Sequence, residues 1–176
     1  MPGMVELSYR YAKPPDAPAI RALVERCYRG DAARTGWTSE ADILEGPRTS
    51  ETEIGDLIIT PGHYFLLGED VDGRLVATGL LERRGQDGYF GMLAIDPVAQ
   101  GTGIGRQFLA RLEQSARELW RSKKMSLVVI SLRTELIAWY ERRGYTRTGK
   151  VHPFPFSPTS GERQRDFNLI EMAKPL

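Results

Sequence analysis

Val5, Leu7, Tyr9 and Tyr11 alternate with polar residues, the period-two pattern of a half-buried strand, and Pro14-Pro15 ends it. Asp16 stands where a helix N-cap would, and Pro18 is tolerated in a first turn. Ile20, Leu23, Val24, Cys27 and Tyr28 then recur at helical spacing up to Gly30, so Cys27 reads as a small core residue. A polar stretch follows over 31–50. In it Ser39 with Asp42, and Ser50 with Glu53, have capping-box spacing. The second pair opens a short helix carrying Ile54, Leu57 and Ile58, which Pro61-Gly62 stops. Strands are expected over 64–67, 75–81 and 89–95. Their short glycine-containing gaps predict hairpins, hence an antiparallel meander ending at Asp96-Pro97.

Ile104, Phe108, Leu109, Leu112, Ala116, Leu119 and Trp120 form the apolar stripe of a long helix, with Arg106, Arg111 and Arg117 off it. The apolar, β-branched block 125–131 predicts a strand buried on both faces. Strand, helix and strand in that order imply a right-handed parallel crossover. A shorter helix over 134–143 ends at Gly144. A strand over 145–149, a proline-stiffened loop over 153–158 and a final strand over 166–173 complete the chain. The expectation is one α/β domain spanning 1–176, with no repeat and no dividing linker.

Composition narrows the function. The 176 residues are 41% hydrophobic and 27% charged, with a net charge of +1. That balance disfavours a dedicated nucleic-acid binder or a polybasic membrane protein. No apolar run approaches the roughly 20 residues that span a bilayer, and the N-terminus lacks the apolar block of a signal peptide. A single cysteine permits no internal disulfide and fits a reducing, cytoplasmic setting. With His63 and His152 as the only histidines and no HExxH, no metal is expected.

The most informative segment is Gln100-Gly101-Thr102-Gly103-Ile104-Gly105, a glycine run between a strand and a strong helix. A helix N-terminus has unpaired N–H groups and partial positive charge, so it can hold phosphate oxygens. Glycines let the backbone approach such an anion closely, yet they disfavour helix, which makes them costly for a mere connecting loop. The spacing is neither GxxxxGK[ST] nor GxGxxG, so both familiar nucleotide motifs fail.

Gln100-x-x-Gly103-x-Gly105 resembles the Gln/Arg-x-x-Gly-x-Gly/Ala signature of the GNAT superfamily of N-acetyltransferases. Met92-Leu93-Ala94-Ile95-Asp96-Pro97 looks like that family's fourth strand. Ala138-Trp139-Tyr140-Glu141-Arg142-Arg143-Gly144-Tyr145 is similar to its "A..YE..GF" block, and the element order is also the family's. The resemblance implies a mixed, mostly antiparallel twisted sheet of six or seven strands, with helices on both faces. It implies acetyl-CoA as co-substrate, held in a cleft where the fourth and fifth strands splay. Leu93, Ala94 and Ile95 would pair with pantetheine, and the N–H groups of Gln100, Gly101, Thr102, Gly103, Ile104, Gly105 and Arg106 would hold the pyrophosphate.

The implied chemistry is attack of a small-molecule or peptide amine on the acetyl thioester, with thiolate leaving. Tyr140 matches the family tyrosine that protonates the thiolate; without the motif its helical spacing with Leu136 and Ile137 also fits a core role. The glutamate that serves as base in the histone-acetylating branch falls at Tyr89 here. Glu82 is the substitute by location, with a solvated carboxylate beside Arg83 and Arg84 as the alternative. The segment that selects the acceptor would contain Trp37, Glu40 and Asp42, an aromatic face and carboxylates that suit an amine, or else capping residues. The Arg83-Arg84 and Arg142-Arg143 pairs suit an acidic substrate or the 3′-phosphate of CoA, or form solvated faces. Dimers are common in the family, so a homodimer stays open. A non-catalytic acyl-CoA-binding module is the alternative reading.

Overall fold

A computed structural model describes residues 5–28, 49–99, 102–154 and 167–176. Among the described residues, seven strands and four helices follow one another as β1 (Ser8–Tyr11), α1 (Ala17–Tyr28), α2 (Glu51–Ile59), β2 (His63–Glu69), β3 (Leu75–Arg84), β4 (Asp87–Ile95), α3 (Ile104–Trp120), β5 (Lys124–Ile130), α4 (Thr134–Glu141), β6 (Thr146–Pro153) and β7 (Asn168–Pro175). They form one sheet in the order β1-β2-β3-β4-β5-β7-β6. The meander β1 to β4 is antiparallel, β4 and β5 are parallel across α3, and β7 lies antiparallel between β5 and β6. No described helix is long and apolar enough to cross a membrane.

Helices cover both faces. α3 and α4 bury Phe108, Leu112, Ile137 and Tyr140 against Leu81, Phe90, Met125, Leu127 and Met172. α1 and α2 bury Ile20, Leu23, Val24 and Ile54 on the opposite face, against Phe65, Leu67, Leu80 and Ala94. The alternation of buried side chains along β3 and β4 serves both clusters at once.

Several boundaries differ from expectation. β1 begins at Ser8, because only Ser8 to Tyr11 find partners on β2; Leu7 is buried in the core without pairing. The Asp16 carboxylate does not cap α1: it closes a 3-10 turn over Pro14–Asp16 and takes both terminal nitrogens of Arg10 at 2.8 Å, although α1 does start at Ala17, where such a cap would put it. Ser50 does cap α2, accepting from the Glu53 N–H at 3.1 Å, but the Glu53 carboxylate turns to the Thr49 hydroxyl at 2.9 Å and leaves the box half made. β5 is not buried on both faces: Met125, Leu127 and Val129 are buried, whereas Ser126 and Val128 are half-buried. β6 does not stop at Gly149. That residue has φ +89° and sits in a register shift between Arg147 and Val151, so the strand passes it as a bulge and runs on to Pro153. β7 lies two residues later than expected. Gly30, the Ser39–Asp42 pair and the loop beyond Phe154 lie outside the described residues.

Candidate functional site

β4 and β5 pair only at Gly88↔Met125 and Tyr89↔Ser126. Beyond Tyr89 the two strands part, and the cause lies in β4. Its register against β3 runs from Leu80↔Gly91 to Thr78↔Ala94, so β4 carries one residue more than β3 across this interval, with Met92 at φ 48°. A side chain in the left-handed region costs about 1–2 kcal/mol, which the surrounding packing must offset. Gly79 helps: a Cβ there would stand 3.1 Å from Leu112 and 3.2 Å from Phe108, so only glycine lets α3 lie this close.

The bulge sets which backbone groups face the split. Asp96 N–H donates to the Val76 carbonyl at 2.9 Å, so Ala94 and Asp96 turn their N–H groups to β3. The carbonyls of Leu93 and Ile95 therefore turn to the β5 side. There the Tyr28 hydroxyl donates to the Leu93 carbonyl at 2.5 Å, and the Cys27 thiol to the Ile95 carbonyl at 3.1 Å. The last turn of α1 thus sits on the edge of the split. Burial pushes the Cys27 thiol up to about 12, Arg26 opposing and Asp96 reinforcing the shift. A thiol so raised is no nucleophile.

At the end of β4, Asp96 is 1% exposed and ties the connection to α3 in place. Its Oδ1 accepts the Val98 N–H at 3.0 Å, and its Oδ2 accepts from Arg26 at 2.8 Å and Arg74 at 3.1 Å. Burial raises its carboxyl, but the Val98 N–H and the two guanidinium groups more than offset that and hold it below the usual range. Gly103 then takes φ +84° as the N-cap of α3 and has no side chain to cap the helix with. Gln107 is the first to donate into the helix, to the Gly103 carbonyl at 3.1 Å. The N–H groups of Ile104, Gly105 and Arg106 have no carbonyl to bond inside the helix. The Thr102 hydroxyl donates to the Ala99 carbonyl, bracing the loop. Gln100 and Gly101 lie outside the described residues, as do Trp37, Glu40 and Asp42.

Arg106 brings positive charge to the positive end of a helix, an unfavourable place for it. Arg143 at the end of α4 is near enough to feel it: burial, then Arg142, then Arg106 lower the Arg143 guanidinium from its ordinary value. Arg143 is fixed by the Trp139 carbonyl at 3.2 Å and lies 4.1 Å over the Trp139 ring. Arg106, at this helix N-terminus, and Arg142 both act electrostatically on Arg143, and positive charge so gathered suits a polyanion.

Tyr140 is 4% exposed, with ring centroids at 5.9 Å from Phe90, 5.1 Å from Trp139 and 5.8 Å from Tyr145. Its hydroxyl makes no hydrogen bond to another described residue. Burial pushes it well above its ordinary value; Tyr28 adds to this, and Arg133 opposes it. Tyr28 and Tyr140 are thus electrostatic neighbours, one from each covered face. Glu82 pairs with Tyr89 in register, at the closed end of the split. One of its oxygens accepts from Arg84 at 3.2 Å, and the other is 3.8 Å from His63. The Arg84 guanidinium also lies 3.5 Å from the Tyr89 ring centroid.

Periodicity alone missed Tyr28 and Cys27, which share the stripe that buries α1. The available signal was two polar-tipped residues side by side at a helix end. Among the described residues no three His, Cys, Asp or Glu side chains group to hold a metal ion.

Comparison with known proteins agrees with this geometry. The sequence pattern of the "Acetyltransferase (GNAT) family" matches residues 18–145. No curated protein matches the chain as a relative. Among solved structures, the ribosomal-protein-S18-alanine N-acetyltransferase from Escherichia coli is similar over 97% of this chain and 94% of its own, with TM-score 0.71 and 18% identity. A spermidine N-acetyltransferase from Vibrio cholerae, solved in complex with CoA and spermine, is similar over 96% and 95%, with TM-score 0.69 and 18% identity. At such identities these two likenesses speak for the fold.

Proposed function

This chain belongs to the acetyltransferase (GNAT) family and is an acyltransferase, and we propose that it moves an acetyl group from acetyl-CoA to a primary amine by direct attack. The observation that carries the reading is the split between β4 and β5, with β4 leading into the glycine-capped N-terminus of α3. Strand groups facing a split, beside a helix N-terminus, suit a molecule with an amide-bearing arm and a pyrophosphate. The arm would lie along Leu93 to Ile95 as a substitute strand. The N–H groups of Ile104, Gly105 and Arg106 would meet the pyrophosphate, and Arg106, Arg142 and Arg143 would offset its charge.

Acetyl-CoA brings an activated acyl group and a good leaving group. The chain's part is to orient the thioester and manage protons. Tyr140 stays protonated because it is buried, so it is a hydrogen donor for the sulfur as negative charge develops there. The attacking amine must be neutral, and its proton must leave through a carboxylate or water. Glu82 is our candidate for the first acceptor of that proton: it stands on the same row of the sheet as Tyr89 and Ser126, at the closed end of the split. Trp37, Glu40 and Asp42 remain candidates for contacting the amine.

Calorimetric titration with acetyl-CoA, CoA and ATP tests the reading. Micromolar binding of both CoA species without ATP binding is expected. Binding of ATP alone, or of none of them, would overturn it. Thiol release on adding an amine then separates an enzyme from a silent acyl-CoA-binding module.

A further inference from the structure

Among the described residues, α1 and α2 cover only part of the second face of the sheet, and a separate small cluster of Ile130 and Phe167 lies at the far end of β5. The apolar cluster of α1 and α2 includes residues of β2, β3 and β4 but none of β5, β6 or β7. Along β5, Met125, Leu127 and Val129 point to the α3 side, so Ser126 and Val128 point to this second face. Register pairs Ser126 with Ala173 and Val128 with Glu171. Lys174 points the other way, to Glu113 of α3 at 3.0 Å. Glu171 therefore stands on the second face, opposite Val128, which is two residues past the point where β4 and β5 part. Neighbouring strands lie about 5 Å apart, so this carboxylate is roughly one strand spacing from the lip of the split.

Two residues of β6 hold the Glu171 carboxylate. The Thr148 hydroxyl donates to Oε2 at 2.8 Å, and His152 Nε2 is 3.4 Å from Oε1. The bulge at Gly149 lies between these two partners on β6. No described lysine or arginine comes within ion-pair distance, although Lys150 contributes at longer range. The side chain is 21% exposed, and a carboxylate has more acceptor positions than these two contacts use. Burial raises its carboxyl, but Thr148, His152 and Lys150 bring it below the usual value, so it carries its charge wherever an amine is a cation. Such a group is a poor base and a good counter-ion. At the other end of this face the Glu82 carboxylate is already paired with Arg84 at 3.2 Å, whereas Glu171 has no described guanidinium or ammonium on it.

We propose that Glu171 is the counter-ion for a second positive charge on the acceptor, making the acceptor a small diamine or oligoamine. One nitrogen, neutral, reaches the acyl carbon in the split; another, still protonated, sits on the Glu171 carboxylate a few methylenes away. This rests on the acetyl-transfer reading above. Thr148 is a positioning residue: it fixes Oε2, and Oε1, beside His152, keeps acceptor capacity for the ammonium.

The test titrates the full chain first with CoA, then, saturated with CoA, with diaminobutane or butylamine. Diaminobutane is expected to bind about 10–100-fold more tightly, the worth of one hydrogen-bonded ion pair. Glu171→Gln keeps an oxygen for Thr148 and removes the charge, and it should erase that gap. In turnover the same variant should raise KM for diaminobutane about 10–100-fold, leaving kcat and the butylamine KM nearly unchanged. Equal binding of the two amines, binding of neither, or a gap that survives in Glu171→Gln would overturn the proposal. Failure of CoA to bind in the first titration would instead refute the acetyl-transfer reading and this proposal with it.

Discussion

Tyr140→Phe tests the chemistry most directly, because the structure bounds its effect on both sides. The ring packs between Phe90, Trp139 and Tyr145, and all of those contacts survive in phenylalanine. The hydroxyl has no described hydrogen-bond partner, so its loss strands no buried group. Stability should change by less than about 0.5 kcal/mol. Turnover is another matter. Complete proton transfer by a general acid is worth about 10²–10⁴ in rate. A thiol titrates near 8.5, and burial holds the Tyr140 phenol well above 10, so full transfer to the thiolate runs uphill. What remains is a hydrogen bond to a charged atom, worth about 1.5–3 kcal/mol. At about 1.4 kcal/mol per decade this predicts a fall in kcat of roughly 10–100-fold.

The assay is initial-rate thiol release at saturating amine, with acetyl-CoA affinity measured separately by calorimetry. The affinity should hold within about twofold, since the bond forms only as the sulfur takes on charge. The pH profile adds a sign. Tyr140 works protonated and its folded pKa is raised, so it contributes no loss of activity up to pH 10. A kcat within twofold of wild type would refute the reasoning. So would an affinity loss matching the loss in kcat, or an alkaline limb below pH 9 that vanishes in the variant.

Three further outcomes follow from buried groups. Lys174→Met leaves Glu113, 7% exposed at its side chain, with only the Tyr145 hydroxyl at 2.7 Å; because Lys174 is itself 26% exposed, we expect a loss of about 2 kcal/mol rather than the ~3–5 of a fully buried pair, read from urea midpoints, and adding Glu113→Gln should recover part of it. A single variant as stable as wild type would remove this network from the account. Asp96 has a lowered folded pKa, so its contribution is complete above about pH 4 and fades as the pH drops through the folded value; the stability gap between wild type and Asp96→Asn should narrow between pH 5 and pH 2, and a pH-independent gap would contradict this. The Cys27 thiol, raised to about 12 and fully buried, should resist iodoacetamide at pH 8 in the native protein and react on denaturation; rapid native alkylation would refute its burial.

Features that depend on neighbours in sequence could be read from the sequence. The stripe from Ile104 to Trp120 and the glycines before it specify α3 and its open N-terminus, and hairpin spacing specifies the meander. Features set by distant partners could not. Asp16 has the right chemistry for an N-cap, yet Arg10 and the Lys13 N–H take its carboxylate, so α1 starts at Ala17 without that cap. Tyr28 obeys the apolar stripe of α1, but its function depends on a carbonyl 65 residues away. Glu171 follows the alternation of any half-buried strand; only the register with Val128 brings it beside the split.

The split itself shows how these levels combine. Close packing of α3 requires Gly79, the extra residue in β4 puts Met92 in the left-handed region, and past it the carbonyls of Leu93 and Ile95 face away from β3. Left unpaired, such groups would cost about 1–3 kcal/mol each. Tyr28 and Cys27 satisfy one lone pair on each carbonyl and so hold α1 at the edge of the split before any ligand arrives. A carbonyl oxygen has two lone pairs. A pantetheine amide can therefore share the Leu93 oxygen with Tyr28 rather than displace it. Under that arrangement the end of α1 and the ligand are neighbours on one atom. The same hydroxyl also acts electrostatically on Tyr140. With pantetheine so placed, the end of α1 would meet the acyl donor at the Leu93 oxygen and act on the proposed acid electrostatically.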